Sequence, residues 1–304
     1  MEQTSDFGAG YISVLTLPEI GDLLGGNSFP LGPGVLLTPL GTIASFIPPV
    51  EPLTEFIHKP TTYALISTLL SGLVHSALTA IQITKHLNCD QSLFLMLTPD
   101  YNTPDYKMYS LDNRYRGYTF GPDAHTLGNK DIEKAREVLR IIGTLRRPSR
   151  LALAITLFEN AHTSAVNEIR LLMLFACLEA LFGAGEQEIT HQIAERASLF
   201  LEDTPIMRSD RYAKLKKLYN IRSKIIHGAT LELKGALFEG IANQSDKMKT
   251  AIYYTDETAR LSLCRILESE SMTNLFSDER TAMETHFQKW LFGETPTKGN
   301  SDGI

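Results

Sequence analysis

The stretch AVNEIRLLMLFACLEALFG, residues 165–183, is strongly apolar and ends in glycine. Leu172, Phe175 and Phe182 share one helical face with position 179, because the spacings are three and four residues. Gly183 stands where such a helix would end, since glycine readily adopts the conformations found just after helices. The stretch therefore predicts a buried core helix.

Helical periodicity of the same kind extends on both sides of this stretch, from about residue 129 to about residue 292. Several of the segments begin or end at residues that favour helix termini. We count about six or seven helices, which predicts a helical bundle over residues 129–292. The polar, glycine-rich tail, residues 293–304, is expected to be disordered.

The first 128 residues differ in composition from the rest. They contain 5 Lys and Arg against 11 Asp and Glu, and residues 1–60 contain 8 of the 14 prolines. Dense proline disfavours helices, and residues 91–101 and 107–120 have the pattern of strands with turn residues around them. We therefore predict an α+β protein, with a mixed α/β region over residues 1–128 followed by the all-α bundle.

The totals are those of a globular protein with a substantial core. The chain has 304 residues, of which 43% are apolar and 21% charged. The net charge of −6 argues weakly against a general nucleic-acid coat protein, but it does not exclude a local basic site. The sequence opens without a cationic region and apolar run, so we predict no signal peptide.

The cysteines and one uncharged segment bear on the compartment. Cys89, Cys177 and Cys264 lie far apart and fit no zinc spacing, which favours buried thiols in a reducing cytoplasm. Residues 61–84 contain no Asp, Glu, Lys or Arg. However, the segment includes many Ser and Thr as well as His75 and Gln82, which favours buried helices over a membrane span. We expect a cytoplasmic protein with no membrane partner, no metal and no cofactor.

A second apolar stripe contains a charge in the stretch LYNIRSKIIHG, residues 218–228. Leu215 and Leu218 share a helical face with Arg222. A guanidinium on a buried face needs an anionic partner, because it cannot lose its charge. Glu179 is an acid inside the apolar stripe of the earlier helix, so we predict a Glu179–Arg222 pair. A purely structural salt bridge is the alternative.

His227 lies five residues beyond Arg222, about 140° further round an ideal helix, so the two side chains do not share a face. It comes directly before Gly228, where the helix should end, and its direction need not follow the helical period. A histidine in this place either borders a cleft or only complements the helix dipole.

The same helix is strongly basic. Residues 207–227 contain seven Lys and Arg against one acid, Asp210. This face would attract phosphate groups, or it would be an ordinary solvated face that docks onto the acidic front half. The candidate RNA-binding residues on it are Arg208, Arg211, Lys214, Lys217 and Lys224.

Three stretches together resemble the HEPN superfamily, and more narrowly its Apea-like branch. They are LFACLEALFG (174–183), IAERASLFL (193–201) and LYNIRSKIIHG (218–228). HEPN ribonucleases have an arginine, a polar residue, a few further residues and then a histidine near the end of a core helix. Arg222, Ser223 and His227 match this motif, and the resemblance covers roughly residues 130–290.

The resemblance implies a helical bundle that dimerises and forms one composite cleft from two Arg/His pairs. Active members cleave RNA without a metal ion, through attack of the 2′-OH on the adjacent phosphorus. Arg222 would hold the scissile phosphate and His227 would move protons, with Ser223 as a further donor. Glu179 would fix the guanidinium from behind.

Three functions stay open at this point. The first is an RNA-cleaving toxin or antiphage defence effector, with residues 1–128 as a sensor or restraint and with a trigger protein or antitoxin as partner. The second is a non-catalytic HEPN module for dimerisation and for binding RNA or protein. The third is a small-molecule enzyme in the front half, although the glycine-rich residues 21–34 match neither a dinucleotide fingerprint nor a P-loop.

Overall fold

The computed structural model describes residues 76–86, 128–145, 148–183, 188–277 and 280–291, together with the backbone of five short strands between residues 29 and 111. The chain divides into two compact units: residues 1–115 with 125–142, and residues 116–124 with 143–304. The functional boundary at residue 128 stays a prediction. The tail predicted to be disordered, residues 293–304, lies outside the described residues.

The strands of the first unit form two antiparallel sheets. One has the order β1-β2-β3 and the other joins β4 to β5. In the second sheet, Phe94 lies opposite Leu111 and Pro99 opposite Tyr106. The strands are β1 (Phe29–Gly32), β2 (Val35–Leu37), β3 (Ile43–Ser45), β4 (Phe94–Pro99) and β5 (Tyr106–Leu111). The strands β4 and β5 overlap the two stretches that the sequence predicted as strands.

Helical residues 76–84 and helix α1 (Asn129–Thr144) also belong to the first unit. Lys85 Nζ lies 2.9 Å from Oδ2 of Asp131, in the first turn of α1. The backbone N–H of Gly128 donates to the same oxygen at 2.9 Å. Both hydrogen bonds lower the pKa of Asp131, with the bond from Lys85 as the larger cause. The charged end of α1 is thus tied to residues 76–86.

The second unit consists of the remaining helices and one short 3₁₀ turn. Helix α3 is its centre and packs against α2, α4, α5 and α6. The elements are α2 (Arg150–Thr163), α3 (Asn167–Phe182), α4 (Ile189–Leu201), α5 (Pro205–Ile226), the 3₁₀ turn (Ala236–Phe238), α6 (Gln244–Leu267), α7 (Glu270–Ser277) and α8 (Arg280–Leu291).

Side-chain caps start three of these helices. The hydroxyl of Ser149 accepts the N–H of Ala152 at the start of α2. The side chain of Asn243 accepts a backbone N–H in the first turn of α6. Each cap satisfies a backbone donor that has no partner within its helix. At α5, Thr204 accepts the N–H of Met207 and Pro205 occupies the first turn, where its missing N–H costs nothing.

Helix α3 is apolar on most of its surface, and this lets it pack against several other helices. Leu174, Phe175, Cys177 and Leu178 are fully buried. The helix ends at Phe182 with Gly183 as its C-cap, as the sequence predicted. The rings of Phe182, Phe200, Phe276, Phe287 and Trp290 pack together at one end of the bundle.

The prediction of an α+β protein with a mixed α/β front region is wrong. Among the residues whose side chains are described, 82% are helical and none lies in a strand. The described core is therefore all-α. The strands between residues 29 and 111 are each three to six residues long, and dense proline limits their length because it removes ladder donors.

The described residues also bear on the compartment predictions. Cys177 and Cys264 are buried free thiols, and burial raises the pKa of Cys177. Cys89 lies outside the described residues. No helix in the described part of the chain is both long and apolar enough to cross a membrane. Residues 61–75 of the uncharged segment fall outside that part.

Candidate functional site

The C-terminus of α5 fixes the backbone at His227. Gly228 has the left-handed φ of +63°, and its N–H donates to the carbonyl of Ile225 at 3.1 Å. The N–H of Ala229 donates to the carbonyl of Lys224 at 2.9 Å. Together these bonds form a Schellman motif, which ends the helix at the glycine that the sequence indicated. His227 is the C-cap and is exposed, so its ring extends from a defined backbone into solvent.

Arg222 pairs with Glu179, as the apolar stripes predicted. Nη2 of Arg222 lies 2.8 Å from Oε1 of Glu179, and the two side chains are 22% and 26% exposed. Helix α5 contributes the cation and α3 the anion. The pair is half-buried, so solvent screens it less than a surface pair, yet an anion in solution can still approach it.

Tyr219 completes the arrangement, and we name Glu179, Tyr219 and Arg222 together the guanidinium clamp. The tyrosine hydroxyl donates to Oε1 of Glu179 at 2.9 Å and accepts from Nη1 of Arg222 at 3.2 Å. The guanidinium also lies over the tyrosine ring, 5.0 Å from its centroid. Phe175 packs edge-on against that ring at 5.4 Å, which keeps the tyrosine in place.

The clamp changes the acidity of the phenol. Burial raises the pKa of Tyr219 to about 12, and the nearby charge of Glu179 adds to the rise. The hydroxyl therefore stays protonated near neutral pH and keeps donating to the carboxylate. Sequence reasoning gave Tyr219 no role. Its position three residues before Arg222 on one helix was the available signal.

Arg222 retains unused donors. Its two bonds in the clamp involve Nη1 and Nη2, and Nε is buried without a hydrogen-bond partner among the described residues. A guanidinium has five N–H groups, so each Nη atom keeps a second hydrogen. A cation that is held in position and only partly satisfied is suited to binding an anion such as a phosphate.

Ser223 and His227 meet through the backbone only. The His227 N–H donates to the carbonyl of Ser223 at 3.1 Å. The Ser223 hydroxyl is half-buried and makes no hydrogen bond to a residue that the structure describes. Arg222 and His227 are separated by about 7.5 Å along the helix axis and about 140° around it. The hydrogen bonds of the guanidinium clamp do not include the His227 side chain.

Two of the five basic residues proposed to bind RNA are engaged within the bundle. Arg211 donates to Oε1 of Glu202 at 2.5 Å and to the hydroxyl of Thr258 at 3.0 Å. Lys214 lies 2.6 Å from Oδ2 of Asp210. Both cations also lie over the ring of Tyr254. The charge of Arg211 is balanced by a buried acid, whereas the pair of Lys214 and Asp210 lies at the surface, with 35% and 59% of the side chains exposed.

The other three basic residues differ in their exposure and in how many of their donors already bond within the protein. Arg208 donates through Nε to the carbonyl of Glu202 at 2.8 Å, and its Nη atoms make no bond to a described residue. Lys217 is half-buried above the ring of Phe238. Lys224 is exposed near the end of α5. Arg208 and Lys224 are therefore the most available of the five to a ligand.

No group of three or more His, Cys, Asp and Glu side chains that could hold a metal ion occurs among the residues placed in the structure. Comparison of the chain with models of protein families, with curated proteins and with solved structures gives no match. The side chains around Arg222 and His227 are therefore the features of the chain that bear on its function.

Proposed function

We propose that the chain is a HEPN-type endoribonuclease that cleaves RNA without a metal ion, acting in the cytoplasm as a toxin or an antiphage defence effector. The observation that supports this most is the guanidinium clamp: Arg222 is held by Glu179 and Tyr219, with donors left over, on the helix that ends at exposed His227. The resemblance in sequence supplies the type of reaction.

In the proposed reaction the 2′-oxygen of the substrate attacks the adjacent phosphorus while the bond from phosphorus to the 5′-oxygen breaks. One histidine accepts the proton of the 2′-OH, and a protonated histidine supplies a proton to the leaving 5′-oxygen. The products are a 2′,3′-cyclic phosphate and a 5′-OH. Arg222 stabilises the charge that develops on the phosphate oxygens, and the Ser223 hydroxyl is a further donor.

A homodimer would resolve the separation of the two groups within one chain. On an ideal helix the two positions lie about 140° apart, and in a dimer Arg222 of one copy would meet His227 of the other beside one phosphate. The two steps of proton transfer also use two imidazoles, one from each copy. RNA is then the substrate, and a trigger protein or antitoxin would control the activity.

A non-catalytic HEPN module is the second candidate, and one observation favours it. Arg222 is only 22% exposed and is already paired with Glu179, as a structural salt bridge would be. In that case the bundle is a scaffold that dimerises and binds RNA or protein. His227 then has no catalytic role, and replacing it leaves that binding unchanged.

The experiment is an RNA cleavage assay with EDTA present. It compares the purified protein with His227→Ala, Arg222→Lys and the control Lys249→Ala, whose side chain is 65% exposed on α6. We expect the wild type and the control to leave cyclic-phosphate ends. His227→Ala should bind RNA without cutting it, and Arg222→Lys should cut slowly, because lysine keeps the charge but loses the planar fork. Equal cleavage by all four proteins would refute this site.

A further inference from the structure

We propose that the groove between α4 and α5 is a second anion site, which binds the phosphate group of a small organic phosphate. The groove is shallow and widely open to solvent, with a volume of about 290 Å³, so it suits a phosphate group held at the surface rather than an enclosed ligand. Its lining includes His191, Glu195, Arg208, Ser209, Tyr212 and Leu291. Arg208 and Arg222 are about 21 Å apart along α5, so the groove is separate from the guanidinium clamp.

Arg208 supplies the charge. Its Nε donates to the carbonyl of Glu202 at 2.8 Å, which fixes the plane of the guanidinium. Both Nη atoms remain without a bond to any residue in the described part of the chain. This contrasts with Arg211, one turn further on, whose guanidinium is engaged with Glu202 and Thr258. A fixed guanidinium whose Nη1–Nη2 edge is free can donate two parallel hydrogen bonds to phosphate oxygens.

His191 of α4 and Tyr212 of α5 also line the groove. Nδ1 of His191 lies 2.8 Å from the hydroxyl of Tyr212, and the two rings meet edge-on at 5.7 Å. The carboxylate of Glu195 lies 3.8 Å from Nε2 of His191. The ammonium of Lys216 lies over the tyrosine ring at 5.8 Å. On this side the groove is lined by one acid, Glu195, and Lys216 is not part of the lining.

The remaining lining residues indicate the class of ligand. The hydroxyl of Ser209 is exposed and can donate to a phosphate oxygen, while Leu291 gives an apolar wall. Such a mixture of one fixed cation, hydroxyls, aromatic edges and an apolar side suits a phosphate that bears a compact organic group. The phosphate could belong to a free sugar phosphate or to the 5′ end of an RNA strand, since both present the same dianion.

Calorimetric titration of the full chain tests this site. The probes are inorganic phosphate, ribose 5-phosphate and a short RNA with either a 5′-phosphate or a 5′-hydroxyl. Binding of ribose 5-phosphate alone would identify a small-molecule source. RNA of either kind can also bind at the proposed cleavage site, so tighter binding of the 5′-phosphorylated RNA that is lost in Arg208→Gln would identify an RNA end. The fluorescence of Trp290, which is the single tryptophan of the chain and precedes Leu291, gives an independent signal.

The variants decide whether the groove is responsible. Arg208→Gln should lower the affinity by about tenfold or more, because it removes a charged donor pair. Ser209→Glu should do the same by repulsion, and its exposed position leaves folding intact. Lys249→Gln on α6 is the control and should bind normally. Unchanged affinity in both groove variants, or no binding of any probe by the wild type, would overturn the proposal. The titration with ribose 5-phosphate involves no RNA cleavage, so this result is independent of nuclease activity.

Discussion

Tyr219 and Glu179 are joined by a hydrogen bond of 2.9 Å from the phenol to Oε1, the oxygen that also lies 2.8 Å from Arg222. Because the phenol accepts a bond from Arg222 as well, the three side chains close a ring of contacts. In such a ring each member orients the other two. The tyrosine therefore does more than fill space beside Phe175, and its hydroxyl can be tested apart from its ring.

Tyr219→Phe removes the hydroxyl and keeps the packing. We expect the free energy of unfolding to fall by about 1 kcal/mol, because Glu179 loses a donor and Arg222 an acceptor in a half-buried place. Urea denaturation measures this loss. Tyr254→Phe is the matched control, since that hydroxyl makes no hydrogen bond to a described residue, and it should change stability by less than about 0.5 kcal/mol. Equal losses in the two variants would show that the Tyr219 hydroxyl contributes no more to the free energy of unfolding than the hydroxyl of Tyr254 does.

The raised pKa of Tyr219 predicts a pH dependence in the alkaline range. The phenol is harder to ionise in the folded chain, with a pKa of about 12, than in the unfolded chain, with a value near 10.0. Between these values the unfolded state binds fewer protons, so stability falls as pH rises through this window. Urea denaturation at about pH 9 and about pH 11 should show a steeper loss in wild type than in Tyr219→Phe. Parallel losses would contradict the shift.

The ion pair and the helix end could be predicted because both depend on local spacing. Glu179 and Arg222 interrupt apolar stripes on two helices, and two buried faces that each contain one charge are expected to meet. Gly228 follows the last apolar position of its helix, where a left-handed residue is needed. Tyr219 was missed because a tyrosine in an apolar stripe is equally compatible with packing alone.

The availability of the basic residues and the fold class could not be predicted in this way. Arg211 is engaged because the end of α4 brings Glu202 to it, and a contact between helices is not visible in the charge count of one helix. The α+β prediction gave weight to short strand-like stretches, but strand propensity does not tell whether strands contribute to a core. Helical periodicity was the more reliable signal because it repeats over many turns.

His162 and Asp256 form a buried pair that the sequence did not indicate. Nε2 of His162 lies 3.1 Å from Oδ1 of Asp256, and both side chains are at most 2% exposed. Nδ1 lies 2.8 Å from the carbonyl of Phe158. Asp256→Ala and His162→Ala should each lower the free energy of unfolding by about 3 kcal/mol or more, because the remaining polar partner stays buried. Thermal and urea denaturation would measure the loss.

The control for this pair is His191→Ala, because that side chain is 50% exposed. We expect its stability to change by less than about 0.5 kcal/mol. A similarly small change at His162 would mean that the buried pair is replaced by water or by rearranged neighbours. The double variant should lose less than the sum of the two single variants, since the two residues share one interaction.

Gly228 gives a test that links the helix end to the chemistry of His227. Its φ of +63° is left-handed, and an added Cβ would meet no atom within 4 Å, so the cost of a substitution comes from backbone strain alone. Gly228→Ala should therefore lower the free energy of unfolding by about 1–2 kcal/mol, whereas Gly228→Asn should cost less because asparagine tolerates this conformation. Urea denaturation measures both.

The same two variants should differ in RNA cleavage under conditions where both are folded. Alanine strains the Schellman bonds of Gly228 and Ala229, which fix the backbone of the adjacent His227. Cleavage by Gly228→Ala should then fall by about tenfold or more, since an imidazole displaced by about 1 Å loses its alignment with the phosphate. Gly228→Asn should retain most of the activity. If both variants cleave like wild type, the helix end does not position the imidazole for the reaction.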